Sequence, residues 1–207
     1  MRDEFKVRAA RLSDLPNIYH ICVQTAADGT DASGLCRDDF LVGQFFAAPY
    51  VHFELSNCFV VDYRGNAVGY ILGPTDTKKF NQWMNTAWLP GLRQAYPQPN
   101  PQEINETATI SGLETYTLGQ IHNGIDSLDL LDQYPSHLHI DILPIAQGKG
   151  FGRALIETYV QCLIKKHSKG LHISVSKRNE NAIAFYKKLG FSLLSENEGA
   201  VFLGMKL

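Results

Sequence analysis

The stretch DILPIAQGKGFGRALIETYVQCLIKK, from Asp141 to Lys166, constrains this chain more than any other. It reads as an apolar strand, a proline, glycines at 148, 150 and 152, and then an amphipathic helix. Glycine loses more conformational freedom on folding than any other residue, so three within five positions are expected only where bare backbone must approach something. A strand that ends in a loop and restarts as a helix leaves the first helical N–H groups without intrahelical partners, and the macrodipole adds partial positive charge there. The loop is therefore predicted to bind an anion, a phosphate or pyrophosphate. Gly148, Gly150 and Gly152 would admit its oxygens, and Lys149 and Arg153 would neutralise the remaining charge. A P-loop needs G-x-x-x-x-G-K-[ST], whereas here the lysine precedes Gly150 and no Ser or Thr follows it. A dinucleotide fingerprint needs G-x-G-x-x-G, and position 153 is Arg.

Composition narrows the class without choosing the chemistry. The chain has 207 residues, enough for one good core, and its 44% hydrophobic and 19% charged residues suit an ordinary globular protein. A formal net charge of −2 supplies no basic field for nucleic acid or an anionic membrane, so neither is expected as a partner. The N-terminus MRDEFKVRAARLSD lacks the apolar core of a secretory signal, and no apolar run approaches the length that spans a bilayer, so a cytoplasmic location is expected. Cys22, Cys36, Cys58 and Cys162 are scattered without metal-ligand spacing, so reduced, mostly buried thiols and no metal are expected.

Along the chain, FKVRAAR is read as a strand and SDLPNIYHICVQTAAD as a helix capped by Ser13. CRDDFLVGQFFAAPY is read as a second helix ended by Pro49. Cys58–Tyr63 and Ala67–Leu72 flank RGN as a hairpin. Residues 78–136, rich in Trp, Tyr, Pro and Asn, are predicted to be short helices and loops inserted into one domain spanning 1–207. HLHIDILP is read as one alternating strand, GLHISVS as another, and NENAIAFYKKLG as a helix with Asn179 as N-cap and Gly190 closing it. FSLLSE and AVFLGMKL are the last two strands.

Two motifs carry a resemblance. Gln147, Gly150 and Gly152 fit [RQ]-x-x-G-x-[GA], the pyrophosphate loop of the GNAT acyl-CoA-dependent N-acyltransferases, and NENAIAFYKKLGF resembles the downstream GNAT signature N-x-x-A-x-x-[FY]-Y-x-x-x-G-F. The order of elements matches that superfamily across most of the chain. VVDYRGNAVGYILGPTDTKKF, AWLPGLRQAYPQP, HLHIDI and AVFLGMKL resemble the C-terminal acetyltransferase-like domain of O-GlcNAcase and its free-standing bacterial relatives, including the long insertion after the hairpin. The resemblance implies an α/β (α+β) GNAT fold, a mixed and mostly antiparallel twisted sheet flanked by helices. It implies acetyl-CoA as co-substrate and direct transfer to an amine, small-molecule or peptide. The alternative is a catalytically silent module that binds CoA or a partner, as the vertebrate domain is thought to be. Nothing in the sequence marks an oligomeric interface.

The resemblance also distributes roles. The strand before the loop is expected to splay from GLHISVS, with a backbone N–H of Ile142 or Leu143 polarising the acyl carbonyl. The loop Gln147, Gly148, Lys149, Gly150, Phe151, Gly152 and Arg153 would hold the pyrophosphate, and the Asn179 amide would reach the pantetheine arm. Alternation places His137, His139 and Asp141 on one strand face, read here as a proton-handling surface, with a structural hydrogen-bond network as the competing reading. Asp141 is the first choice for general base, since the O-GlcNAcase-like domains carry an aspartate there, and the histidines have the better intrinsic pKa. Tyr186 is placed near the CoA sulfur as general acid to the thiolate. Trp83, Trp88, Tyr96 and Tyr116 are candidates for the substrate wall, and Asp28 and Asp31 for attracting a cationic amine or, equally, for plain turn residues.

Overall fold

The computed structural model describes residues 4–98, 111–126 and 129–207. Within the insertion, 99–110 and 127–128 lie outside the described residues. The strands are β1 (Phe5–Ala9), β2 (Phe59–Tyr63), β3 (Asn66–Leu72), β4 (Ser136–His137), β5 (His139–Ile142), β6 (Gly170–Ser176), β7 (Ser192–Glu196) and β8 (Ala200–Lys206). The helices are α1 (Leu15–Thr25), α2 (Phe40–Phe46), α3 (Ala48–Glu54), α4 (Thr77–Trp83), α5 (Leu89–Ala95), α6 (Gly112–Asn123), α7 (Phe151–Lys165) and α8 (Glu180–Lys188). The strands form two four-stranded sheets, β1-β2-β3-β5 and β4-β6-β8-β7. Among the described residues every pairing is antiparallel except the parallel contact of β4 with β6.

The hairpin is built as the sequence indicates. Arg64 and Gly65 both take positive φ, 52° and 92°, which is the two-residue turn that matches strand twist, and Asn66 already belongs to β3. Two other boundaries differ from expectation. Pro49 opens α3 rather than closing the helix before it, because a proline in the first turn forfeits no hydrogen bond; the break falls at Ala47, at φ −131° and ψ −58°. Asp14, not Ser13, stands at the N-cap of α1, preceded by a 3₁₀ turn at Leu12–Asp14. Its carboxylate accepts from the Arg11 N–H at 2.8 Å and from both terminal nitrogens of Arg8, whose Nε reaches Asp62 at 2.7 Å.

HLHIDIL is not one strand. Ser136 and His137 pair with Leu171 and His172 of β6, whereas His139–Ile142 pairs with β3, so the chain changes sheets at the buried Leu138. Tyr159 of α7, fully buried, donates its hydroxyl to the carbonyl of His137 at 2.7 Å and lies 3.3 Å from that of Pro74. Gly73 lies against the same spot; a Cβ there would overlap the His137 carbonyl oxygen and the Tyr159 hydroxyl. The switch point is thus packed backbone on backbone around one phenol.

Two apolar clusters lie on opposite faces of the sheets. One joins α1–α3 with the inner face of β2 and β3 and takes in Phe80, Met84, Leu89, Leu92, Leu118 and Ile121 of the insertion. The insertion is therefore part of the main core. The other joins α7, through Leu155, Ile156, Tyr159 and Leu163, to β6 and β8. Replacing Gly73 by Ala is expected to cost about 1–3 kcal/mol, the usual range for overpacking a rigid site. Gly91→Ala, a helical glycine whose added Cβ would meet nothing within 4 Å, should leave stability equal or slightly higher. Urea unfolding of the two variants side by side checks both.

Candidate active site

The opening between β5 and β6 is lined by backbone. In an antiparallel ladder, residues alternate between pairs that exchange hydrogen bonds and pairs that exchange none. The Leu143 N–H donates to the Val68 carbonyl at 2.9 Å. Asp141, opposite Tyr70, belongs to the same bonded set, while Ile142, opposite Gly69, and Ile140, opposite Ile71, fall between bonded pairs. The peptide groups of Ile140 and Ile142 therefore point away from β3, toward the side that β6 has left. Of the two amides expected there, Leu143 is already engaged and Ile142 faces the opening. Ile140 shares its orientation; sequence reading missed it, although the period of two would have supplied it once the register with β3 was known.

The glycine loop follows at once. Gly148 and Gly150 have φ of 70° and 87°, a conformation L side chains rarely adopt, and a Cβ on either would meet nothing within 4 Å. Gly150 is the residue before α7, whose first turn has no side-chain cap, so the N–H groups of Phe151, Gly152 and Arg153 are left for an external acceptor. Gln147 ties the loop to the strand by donating Nε2 to the Ile142 carbonyl at 2.7 Å. Gly152 is the close-packed glycine: its added Cβ would lie 3.0 Å from the Phe185 ring. Lys149 folds back onto the Ile145 carbonyl, with Nζ 4.7 Å from the ring centre of Phe5, and Arg153 lies 3.7 Å from Glu157. Phe151 packs on Phe5, ring centres 5.4 Å apart. Open space, left-handed glycines and uncapped amides together form a cradle that suits a pyrophosphate.

Asn179 spends its side-chain oxygen on capping α8, accepting from the Ala182 N–H at 3.0 Å, which leaves its amide nitrogen available. Tyr186, one turn from the helix end, is 5% exposed and packs between Phe185 and Phe191. Its hydroxyl has no protein partner among the described residues. Burial first, and the Asp141 charge second, push its pKa up.

Asp141 and His139 stand on the face toward α1 and α2. The Tyr70 hydroxyl donates to Asp141 Oδ2 at 2.5 Å and lies 3.3 Å from His139 Nδ1, while His139 Nε2 is 3.4 Å from the same carboxylate oxygen. Burial raises the pKa of Asp141, and His139, Tyr70 and Thr25 oppose that shift. His137 lies on the same face but outside this group. Its Nε2 is 3.0 Å from the Tyr50 hydroxyl and its Nδ1 is 2.8 Å from Thr77 Oγ1, with Phe80 packed edge-on. The expected set of three titratable groups is therefore a pair joined by Tyr70, with His137 held in a separate hydrogen-bond network with Tyr50 and Thr77. Tyr70 is fully buried and was not singled out by sequence, because only the β3–β5 register sets it opposite Asp141.

The other candidates divide cleanly. Trp88 donates to the Gln44 carbonyl at 2.8 Å, Tyr96 donates to Asp38 at 2.6 Å, and Trp83 packs on the core, so all three are structural. Tyr116 is 56% exposed and stacks on Phe46, which lies 6.1 Å from the His139 ring. Asp31 closes its own turn by accepting from the Ser33 N–H and from Gln24, and Asp28 lies 3.9 Å from Arg178. A cavity of about 580 Å³ at the far end of α7, beside Glu54, Lys78, Lys166 and Lys169, is remote from this site. Among the described residues, no helix is long and apolar enough to cross a membrane.

Comparison with known proteins follows the same lines. The acetyltransferase (GNAT) domain family matches residues 115–193. The crystal structure of SsHAT superposes with a TM-score of 0.86 and 35% identity, covering 98% of both chains. PaiA N-acetyltransferase from Thermoplasma acidophilum, solved in complex with coenzyme A, shares the fold at a TM-score of 0.58 and 11% identity, covering 98% of this chain and 99% of that one. Rat protein O-GlcNAcase is 24% identical over 210 residues, an alignment covering 98% of this chain and 22% of that protein. The chain thus spans about a fifth of the length of this curated relative.

The burial of His137 has a measurable signature. Burial holds His137, and also His172, below the ordinary histidine value of 6.5. The unfolded chain takes up protons below that value and the folded chain does not, so stability is full above about pH 6.5 and falls as pH drops, by up to about 1.4 kcal/mol per pH unit for each histidine. Urea unfolding at pH 7.5 and 5.5 should show His137→Gln to be less pH-sensitive than the parent over this range.

Proposed function

The chain belongs to the GNAT superfamily of acetyltransferases, and from that premise we propose that it is an acetyl-CoA-dependent N-acetyltransferase that transfers acetyl directly to an amine. One observation carries the reading above the others: an uncapped helix N-terminus behind left-handed glycines opens directly onto a strand edge whose Ile140 and Ile142 N–H groups have no strand neighbour among the described residues. Acetyl-CoA supplies the activated acyl group as a thioester. The amides of Phe151, Gly152 and Arg153, with the loop from Gln147, hold its pyrophosphate. The N–H groups of Ile140 and Ile142, with the Ile140 carbonyl, pair with the pantetheine arm, and one of those N–H groups polarises the acyl carbonyl as it gains charge. The Asn179 amide steadies the same arm.

Two side chains handle protons. Asp141, with its pKa raised by burial, accepts the amine proton, directly or through His139. Tyr186, whose buried hydroxyl stays protonated, donates a hydrogen bond to the departing sulfur. Cys22 stands close to this group but is 1% exposed and its thiol pKa is pushed up by burial, which supports direct transfer over an acetylated cysteine. The acceptor is a small-molecule or peptide amine that reaches His139 past Phe46. Four free cysteines and dependence on acetyl-CoA fit a cytoplasmic location.

Calorimetry with acetyl-CoA and CoA, followed by thiol release across small amines, amino sugars and peptides, tests the proposal. Asp141→Asn should keep CoA affinity and lower kcat/KM by roughly 10²–10⁴. Gly150→Val should weaken CoA binding while the protein stays folded. No heat with any CoA species on folded protein overturns the reading; binding without thiol release on any amine points to a silent CoA-binding module.

A further inference from the structure

Tyr70 lies too close to the proton-handling pair to be a core residue alone. Its ring is fully buried in the α1 side of the core, yet its hydroxyl emerges between two groups of β5. The oxygen is 2.5 Å from Asp141 Oδ2 and 3.3 Å from His139 Nδ1. A tyrosine hydroxyl has one proton, and the acceptor at the shorter distance is the carboxylate, so that proton is committed to Asp141.

We propose that Tyr70 is a positioning residue that keeps the part-buried Asp141 side chain ionised and fixed on the α1 face of β5, beside the opening, by donating its hydroxyl proton to Oδ2. The inference rests on the reading of Asp141 as proton acceptor. A carboxylate taken out of water needs donors to remain ionised, and each element around Asp141 can be examined for them. From α1 come the Cys22 thiol and the Thr25 hydroxyl; the Thr25 hydroxyl already lies 2.8 Å from the Ile21 carbonyl, and the thiol is a weak donor. From α8 comes Tyr186, a neutral phenol that makes no hydrogen bond to Asp141 among the described residues. From α2 comes Phe46, which is apolar. On β5 itself, His139 is 3.4 Å away and His137 is held by Tyr50 and Thr77. Tyr70 on β3 is therefore the strongest neutral donor to the carboxylate. Its own burial keeps it protonated at all relevant pH, so it donates without titrating.

The register makes this possible. Tyr70 and Asp141 are directly opposite in the bonded set of the β3–β5 ladder, so both side chains leave the sheet on one face. A slip of one residue would send the phenol to the α7 side.

The test is Tyr70→Phe, which keeps the ring in the core and removes only the donor. The Asp141 side-chain carboxyl is followed by ¹³C NMR against pH, with Asp141→Asn identifying the resonance. The expected result is a midpoint roughly one pH unit or more higher in Tyr70→Phe, the size of a lost hydrogen bond to a charged group. Where thiol release is measurable, its acid limb should move upward by the same amount, and the rate at high pH should recover. An unmoved Asp141 midpoint in folded Tyr70→Phe overturns the inference, whatever the activity. A shifted midpoint in a protein that acetylates no amine upholds the Tyr70 assignment and overturns the enzymatic reading instead, so the two failures are distinct.

Discussion

The hydrogen bond from the Tyr159 hydroxyl to the His137 carbonyl marks the residue at which one strand leaves β6 and turns to β3. A strand leaving a sheet normally abandons backbone groups that must then find partners. Here the phenol of α7 satisfies the carbonyl at the departure point, and Gly73 lets the neighbouring chain approach without a Cβ between them. The adjacent Ser136 hydroxyl, fully buried, is paired with the Thr75 carbonyl and with Ser168. The two sheets diverge downstream of a closed and satisfied joint, which is why an opening can exist beside a well-packed core.

That opening separates three kinds of surface by geometry alone. Side chains of β5 alternate, so Ile140 and Ile142 pack toward α7 while His139 and Asp141 face α1 and α2. The peptide groups of Ile140 and Ile142 lie in the plane between, toward the missing neighbour. A linear ligand anchored at the loop can run along the peptide edge and present its end to the polar face without displacing either core. The loop geometry agrees with that path: Gln147 is tied to the Ile142 carbonyl, so the cradle and the strand edge are coupled through a 2.7 Å contact.

Legibility from sequence follows how local each signal is. The loop, α7, α8 and the hairpin are fixed by residues a few positions apart, and glycine spacing, Asn179 and Arg64–Gly65 announce them directly. The break at Leu138 is invisible, because alternation continues through it and only the distant Tyr159 and Gly73 define it. Pro49 suits a helix start as well as a stop, and the choice depends on how α2 packs. Asp14 stands where Ser13 was expected but does not cap α1 with its side chain, because Arg8, six residues away on β1, and the Arg11 N–H take its carboxylate. The polar face was legible as a set of residue types but not as a set of contacts: Tyr70 entered it, and His137 left it, through partners 60 to 87 positions away.

The insertion shows the same dependence from the other side. Its apolar residues complete the core on which α1–α3 rest, and its polar contacts reach α2 through Trp88 to Gln44 and the segment before α2 through Tyr96 to Asp38 and Glu114 to Arg37. Glu114 is 2% exposed and accepts from both the backbone and the side chain of Arg37, so the segment before α2 is clamped from across the core. Phe46, at the end of α2, then stands between His139 on one side and the exposed ring of Tyr116 on the other. The surface that borders the polar pair is thus set by the segment that stabilises the fold, and a change in the insertion large enough to alter one would disturb the other.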